Sequence, residues 1–204
     1  MPEKIALLLD GGFVKKKLEN SLGRFPTVQD IISMCDTILQ KPRLNGTILF
    51  RVYYYDAPPY QGKGWNPVSG KVLDFSVTPQ AAQNRALIDS LELQPDFAVR
   101  KGTILHTGWK LGRQALKVLS RITRPVTAQD FVPDMQQKGV DLRIGLDIAT
   151  ISLKRIVDIV VLVTGDSDMV PAMKFARREG LKVYLEALGH RVRRELKAHA
   201  DFVL

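Results

Sequence analysis

A single cysteine, Cys35, stands among 204 residues. No internal disulfide can form, and three histidines, His106, His190 and His199, spread too far apart in sequence to suggest a zinc cluster. The histidines read as incidental. No apolar run reaches the roughly 18 residues a membrane-spanning helix needs. The opening MPEKIALLLDGG passes from a lysine to an aspartate without a signal-peptide core. The expectation is a cytoplasmic protein with no membrane partner. Glycine fingerprints are missing as well: neither Gly-x-Gly-x-x-Gly nor the Walker lysine pattern occurs, so neither a dinucleotide cofactor nor an ATP loop is indicated. Acidic residues are the minority, 21 Asp and Glu against 30 Lys and Arg, for a net charge of +9. Such a balance favours a polyanionic partner, because neutralising phosphates releases counterions, although a merely soluble basic protein would show it too.

What is present centres on Asp158 to Pro171, DIVVLVTGDSDMVP. A valine-rich apolar run of this kind reads as a parallel strand covered on both faces, and it delivers Asp166 and Asp168 to its carboxyl end. In an open α/β sheet that end borders the crevice in which ligands bind. Two carboxylates about 4 Å apart repel by roughly 4 kcal/mol at an effective dielectric near 20, which a divalent cation, a shared proton or outward rotation must relieve. The structural alternative is a turn residue at Asp166 and a helix N-cap at Asp168.

Elsewhere the chain alternates in the same way. Lys4 to Leu9 forms a short apolar run ending in Asp10-Gly11-Gly12, and an amphipathic helix with Lys15, Lys16 and Lys17 follows. Thr27 and Asp30 suggest a capping box for a helix whose core face carries Val28, Ile31, Ile32, Cys35, Ile38 and Leu39. TILFRVYYYD reads as a strand stopped by Pro58-Pro59. The loop that follows, up to Gly70, holds Tyr60, Lys63 and Trp65, suited either to stacking on a nucleic-acid strand or to packing on the body. Gln80 to Leu93 is helical in pattern, and Asp96 to Trp109 suits a strand or hairpin. Lys110 to Arg124 contains basic residues and no acidic one, which suggests a basic face. A helix is expected from Lys138 onward, with Val140, Ile144, Ile148 and Ile151 on one side. Asp141 falls in its first turn, and Asp147 lies about 240° further round. A final strand, helix, strand unit runs to Leu185. The segment from Arg191 begins as a helix, with Arg191, Arg193, Arg194 and Lys197 as a basic rim.

LLLDGGF, VYYYDAPP, KGVD with Asp147 behind it, VLVTGDSDMVP and GLKVYLEALG, in that order, resemble the NYN family of PIN-like nucleases, and more narrowly its LabA-like or DUF88 branch. The resemblance implies a PIN-like, Rossmann-type α/β/α sandwich with a mostly parallel central sheet. It implies one domain over residues 1–204, with a less family-like insertion around 60–135. It further implies a ribonuclease that uses Mg²⁺ or Mn²⁺. Asp10, Asp141, Asp166 and Asp168 match the family's catalytic acidic positions, and with Asp147 they form the implied metal-binding set. Phe13 departs from the pattern, since many relatives carry asparagine there. The partner expected is RNA, single-stranded, met by Lys138 and by Arg191, Arg193, Arg194 and Lys197; self-association is left open. Two other readings stand beside this one: an RNA-binding module with weak or no turnover, and a haloacid-dehalogenase-type phosphatase. The phosphatase would need a second aspartate where Gly12 stands.

Overall fold

The computed structural model describes all 204 residues. The chain opens with β1 (Lys4–Asp10), α1 (Gly11–Leu22), α2 (Val28–Leu39) and β2 (Ile48–Asp56). A hairpin of β3 (Lys63–Trp65) and β4 (Val72–Asp74), then α3 (Pro79–Glu92) and β5 (Phe97–Lys101), come next. After β6 (Thr103–Leu111), α4 (Arg113–Leu119) and β7 (Phe131–Lys138) come α5 (Val140–Leu153), β8 (Ile159–Val163), α6 (Val170–Arg178), β9 (Lys182–Glu186), α7 (Arg194–His199) and β10 (Phe202–Val203).

Six strands form one wholly parallel sheet in the order β10-β9-β8-β1-β2-β5. Both faces are covered, which is why β1 and β8 are almost continuously apolar instead of alternating. Ile5, Leu7 and Leu9 point to the layer of α1, α2 and α3, where they meet Val14, Ile31, Cys35 and Leu91. Ala6 and Leu8 point the other way, to Ile144, Ile148 and Ile151 of α5, Met173 of α6 and Leu196 of α7. The result is a three-layer α/β/α sandwich with a core on each side of the sheet. No helix is long and apolar enough to cross a membrane.

The order of the strands locates the crevice. The chain builds outward from β1 through β2 to β5, then returns to the opposite side of β1 with β8 and builds outward again. Neighbouring carboxyl ends part company where such a sheet changes direction, and that point lies between β1 and β8.

Local rules account for several boundaries. Thr27 and Asp30 form the expected capping box, and Arg24 clamps Asp30 with two hydrogen bonds of 2.7 and 2.9 Å. The same device recurs in the second half of the chain, where Arg124-Pro-Val-Thr127-Ala-Gln-Asp130 repeats Arg24-Phe-Pro-Thr27-Val-Gln-Asp30. In both places the arginine holds the aspartate carboxyl well below its ordinary pKa.

The middle of the chain keeps the helix and the strand expected of it and differs from the sequence expectation around them. α3 and β5 are integral to the sandwich: Leu87 and Leu91 lie in the core and β5 closes one edge of the sheet. What stands away from the sandwich is the β3-β4 hairpin and the antiparallel ribbon of β6 and β7. The stretch up to Gly70 is therefore not all loop. Tyr60 packs against Phe75 and His106, whereas Trp65 stays 65% exposed. The basic run from Lys110 to Arg124 is partly neutralised, because Lys110 pairs with Asp134 across the ribbon and Arg124 with Asp130 six residues on. Lys138 ends a strand instead of starting a helix; Gly139, in the left-handed region at φ 76°, turns the chain into α5. After Arg191 the helix is delayed to Arg194, and the chain finishes on a short strand.

Candidate active site

Asp10 is the last residue of β1 and the N-cap of α1, its Oδ1 accepting the Phe13 N–H at 3.2 Å. Helix α1 can start this abruptly only because Gly11 has no side chain. A Cβ there would lie 2.6 Å from the Tyr55 carbonyl oxygen and 2.9 Å from the Tyr54 ring. Across the β1/β8 gap, fully buried Thr164 donates to Asp10 Oδ2 at 2.9 Å and accepts the Asp166 N–H at 3.1 Å. Asp166 in turn accepts the Asp168 N–H at 3.0 Å and caps a 3-10 turn over Ser167–Met169. The capping role thus falls to Asp166 rather than to Asp168. It uses one carboxylate oxygen and leaves the other toward solvent.

Asp10 lies above its ordinary pKa. Burial is the main cause, hydrogen bonds from Phe13 and Thr164 oppose it, and the charges of Asp141 and Asp166 reinforce it. Asp141, in the first turn of α5, is also raised, first by loss of hydration and then by Asp166 and Asp168. Asp10 is thus within electrostatic reach of Asp141 and Asp166, and Asp141 of Asp166 and Asp168. No three carboxylate or imidazole groups stand close enough to enclose a single ion. The donor set is nonetheless of the hard-oxygen type that suits Mg²⁺ or Mn²⁺, and Mg²⁺ is commonly held by one or two carboxylates with the remaining positions filled by water.

Asp147 does not join this group. Two turns into α5, its Oδ2 accepts from Tyr55 Oη at 2.9 Å and from Arg100 Nε at 3.0 Å, and Arg100 also lies over the Tyr53 ring. A carboxylate paired with an arginine has its charge already answered. That placement sets Asp147, expected as a metal ligand, with Tyr55 and Arg100 rather than with Asp10 and Asp166.

Beside the acidic cluster lies a cavity of about 510 Å³ lined by Asp10, Asp166, Phe13, Lys16, Lys17 and Arg193, among others. Phe13, Lys16, Lys17 and Asn20 recur three and four residues apart, so they share one face of α1. Phe13 meets His190 edge-on at 6.0 Å, and Lys17 lies 5.8 Å from the Phe13 ring centre. Gly165 admits both rings: a Cβ on it would stand 2.7 Å from Phe13 and 3.0 Å from His190. Arg193 donates to Ser167 Oγ at 3.1 Å. Of the basic residues expected to meet RNA, Arg193 lines this cavity. Arg191, Arg194, Lys197 and Lys138 are exposed outside its lining. Sequence reasoning missed Thr164, Lys16, Lys17 and His190. The available signal was position, since Thr164 and His190 follow β8 and β9 at the carboxyl edge of the sheet.

An all-parallel α/β/α sandwich with aspartates at its switch point is consistent with the PIN-like class of fold. The family model for the NYN domain matches residues 80–203, and the chain belongs to that family, whose members are typically PIN-like nucleases. The match takes in Asp141, Asp166 and Asp168 and begins after Asp10. A crystal structure of a protein of unknown function from Vibrio parahaemolyticus is similar over 100% of this chain and 92% of that one, with a TM-score of 0.53 at 17% identity. At that identity the likeness concerns the fold alone. No curated protein matches the chain.

Proposed function

We propose that this protein is a metal-dependent ribonuclease that hydrolyses phosphodiester bonds of single-stranded RNA, with Asp10, Asp141, Asp166 and Asp168 as its acidic centre. The observation that carries this reading is the opposition of charge at the switch point. Asp10 and Asp166 border a cavity also walled by Lys16, Lys17 and Arg193, and the charge of Asp166 adds to burial in raising the pKa of Asp10 and of Asp141. An anionic pocket inside a basic rim suits a polyanion that arrives with cations.

Asp10 and Asp166 would hold the ion, with Asp141 and Asp168 within electrostatic reach. When bound, Mg²⁺ or Mn²⁺ supplies Lewis acidity and a nucleophilic water, and offsets the charge that develops on the phosphate. Thr164 fixes the Asp10 carboxylate and, through the Asp166 N–H, the turn that carries Asp166. Lys16, Lys17 and Arg193 orient the phosphates on either side of the scissile bond. Lys138, Arg191, Arg194 and Lys197 extend the positive field outward and raise the rate of encounter.

The test is cleavage of an unstructured RNA by the purified chain with Mn²⁺, with Mg²⁺ and with EDTA. Cleavage with either ion, abolished by EDTA and by Asp166→Asn, is expected; cleavage that survives both would overturn the reading. A second reading, an RNA-binding module without turnover, is favoured by the lack of three carboxylates close enough to enclose an ion. RNA binding with no cleavage under any of these conditions would select it.

A further inference from the structure

A second cavity, of about 300 Å³, opens on the other side of α1 from the acidic cluster, between the carboxyl end of β2 and the β6-β7 ribbon. Lys15, Asp56, Tyr60, Phe75, Asn84 and Gln137 are among its walls. We propose that it is a nucleobase subsite, in which one base of the RNA is stacked and read while its phosphate lies at the acidic centre. The proposal rests on the nuclease reading for its substrate.

Size and chemistry both point to a single heterocycle. The volume is at the lower end of the about 300–1,000 Å³ typical of small-molecule pockets, too small for a stack of bases. Tyr60 and Phe75 offer aromatic surface, and His106 packs behind both with ring centres 5.7 and 5.0 Å away, so this wall is braced. Stacking on such a surface is how single strands are commonly held.

The opposite wall is polar and organised about a buried charge. Asp56 is 2% exposed, and its Oδ1 accepts the Ala57 N–H at 2.8 Å. Its Oδ2 receives Lys15 Nζ at 2.6 Å and Tyr54 Oη at 3.3 Å. Lys15 also donates to Asn84 Oδ1 at 2.6 Å, and Asn84 Nδ2 donates to the Gln80 carbonyl at 2.9 Å. An ammonium carries three donors and an amide nitrogen two, so one N–H of each is left over. A wall with spare donors and an acceptor that is nearly saturated favours a base edge bearing a carbonyl oxygen. Uracil has two, cytosine and guanine have one each, and adenine has none.

The position ties this cavity to the acidic centre. β1 and β2 are neighbouring strands, with Asp10 opposite Tyr55 in register and Asp56 the next residue. Gly12 borders a residue of each site: a Cβ there would lie 3.6 Å from Asp10 Oδ1 and 3.9 Å from Gln137 Oε1. Because Gly12 has no side chain, the first turn of α1 places none of its own between Asp10 and Gln137 at this point.

Binding of UMP, CMP, GMP, AMP and ribose 5-phosphate to the full chain, measured calorimetrically in EDTA, tests the proposal without requiring turnover. At least one of the three carbonyl-bearing nucleotides should bind about tenfold more tightly than AMP and ribose 5-phosphate. Tyr60→Leu should remove most of that advantage, and Asn84→Leu should remove the discrimination against AMP. If no nucleotide exceeds ribose 5-phosphate, or if both variants melt like wild type and bind like it, the subsite is refuted. Should Tyr60→Leu disturb the ribbon, Asn84→Leu decides alone. The two proposals fail separately. Base-selective binding with uncut RNA removes the nuclease and leaves the subsite, whereas metal-dependent cleavage at equal rates on all four homopolymers with no base binding does the reverse.

Discussion

Thr164 Oγ1 donates a 2.9 Å hydrogen bond to Asp10 Oδ2 and accepts one of 3.1 Å from the Asp166 N–H, so one buried hydroxyl couples the carboxyl ends of β1 and β8. Thr164→Val keeps the shape and strands both partners. It should cost about 1–3 kcal/mol of stability and lower RNA cleavage by at least about tenfold, with Thr164→Ser restoring most of both. Unchanged melting and cleavage in Thr164→Val would show that the hydroxyl positions nothing.

Asp10 carries a pH signature. Its pKa is raised in the fold, so between the ordinary value of 3.8 and that raised value the folded protein holds a proton that the unfolded chain has released. Ionisation therefore destabilises the metal-free protein as pH rises through that window. In EDTA, Asp10→Asn should melt above wild type at neutral pH, and the difference should close on acidification toward about pH 4. Mn²⁺ should raise the wild-type melting temperature and move the variant little. A wild-type protein indifferent to Mn²⁺ would remove the metal site.

Gly165→Ala forces a methyl to within 2.7 Å of the Phe13 ring and 3.0 Å of His190. Overpacking of this kind should destabilise by about 1–3 kcal/mol, and Phe13→Leu in the same chain should recover part of it. Additive losses in the double variant would mean that the two side chains do not meet.

Salt dependence separates the inner basic wall from the outer rim. Each phosphate contact on a single strand contributes about −0.7 to the slope of log K against log salt. Alanine at Lys16, Lys17 and Arg193 together should flatten that slope by about 2, and alanine at Arg191, Arg194 and Lys197 by less. Equal losses from the two triple variants would place the strand across the rim instead.

Asp147→Asn tests whether Asp147 acts with Arg100 or with the metal site. With its partner Arg100 40% exposed, the loss of charge should cost about 1 kcal/mol or less in stability and leave metal-dependent cleavage within a few-fold of wild type. A loss of cleavage as deep as that from Asp166→Asn would return Asp147 to the metal site.

Much of this was legible in sequence because it is local. KIALLLD and DIVVLV are apolar on both faces, so they had to be buried parallel strands, and the aspartates after them had to stand at the edge where such sheets bind ligands. Thr27 and Asp30 fixed a helix start by their spacing alone. What sequence could not decide depends on partners far along the chain. Asp141 and Asp147 share a helix, yet Arg100 and Tyr55 claim the second and the strand ends gather the first, a division set by which elements α5 packs against. Lys15 and Lys16 are adjacent residues, yet helical rotation sends one to Asp56 and the other to the acidic cavity. Thr164 acquires its partners only when β1 is laid beside β8. Periodicity determines what is buried, but only the order of strands in the sheet determines which charges meet, because a carboxylate's energy depends on neighbours brought together by folding rather than by sequence.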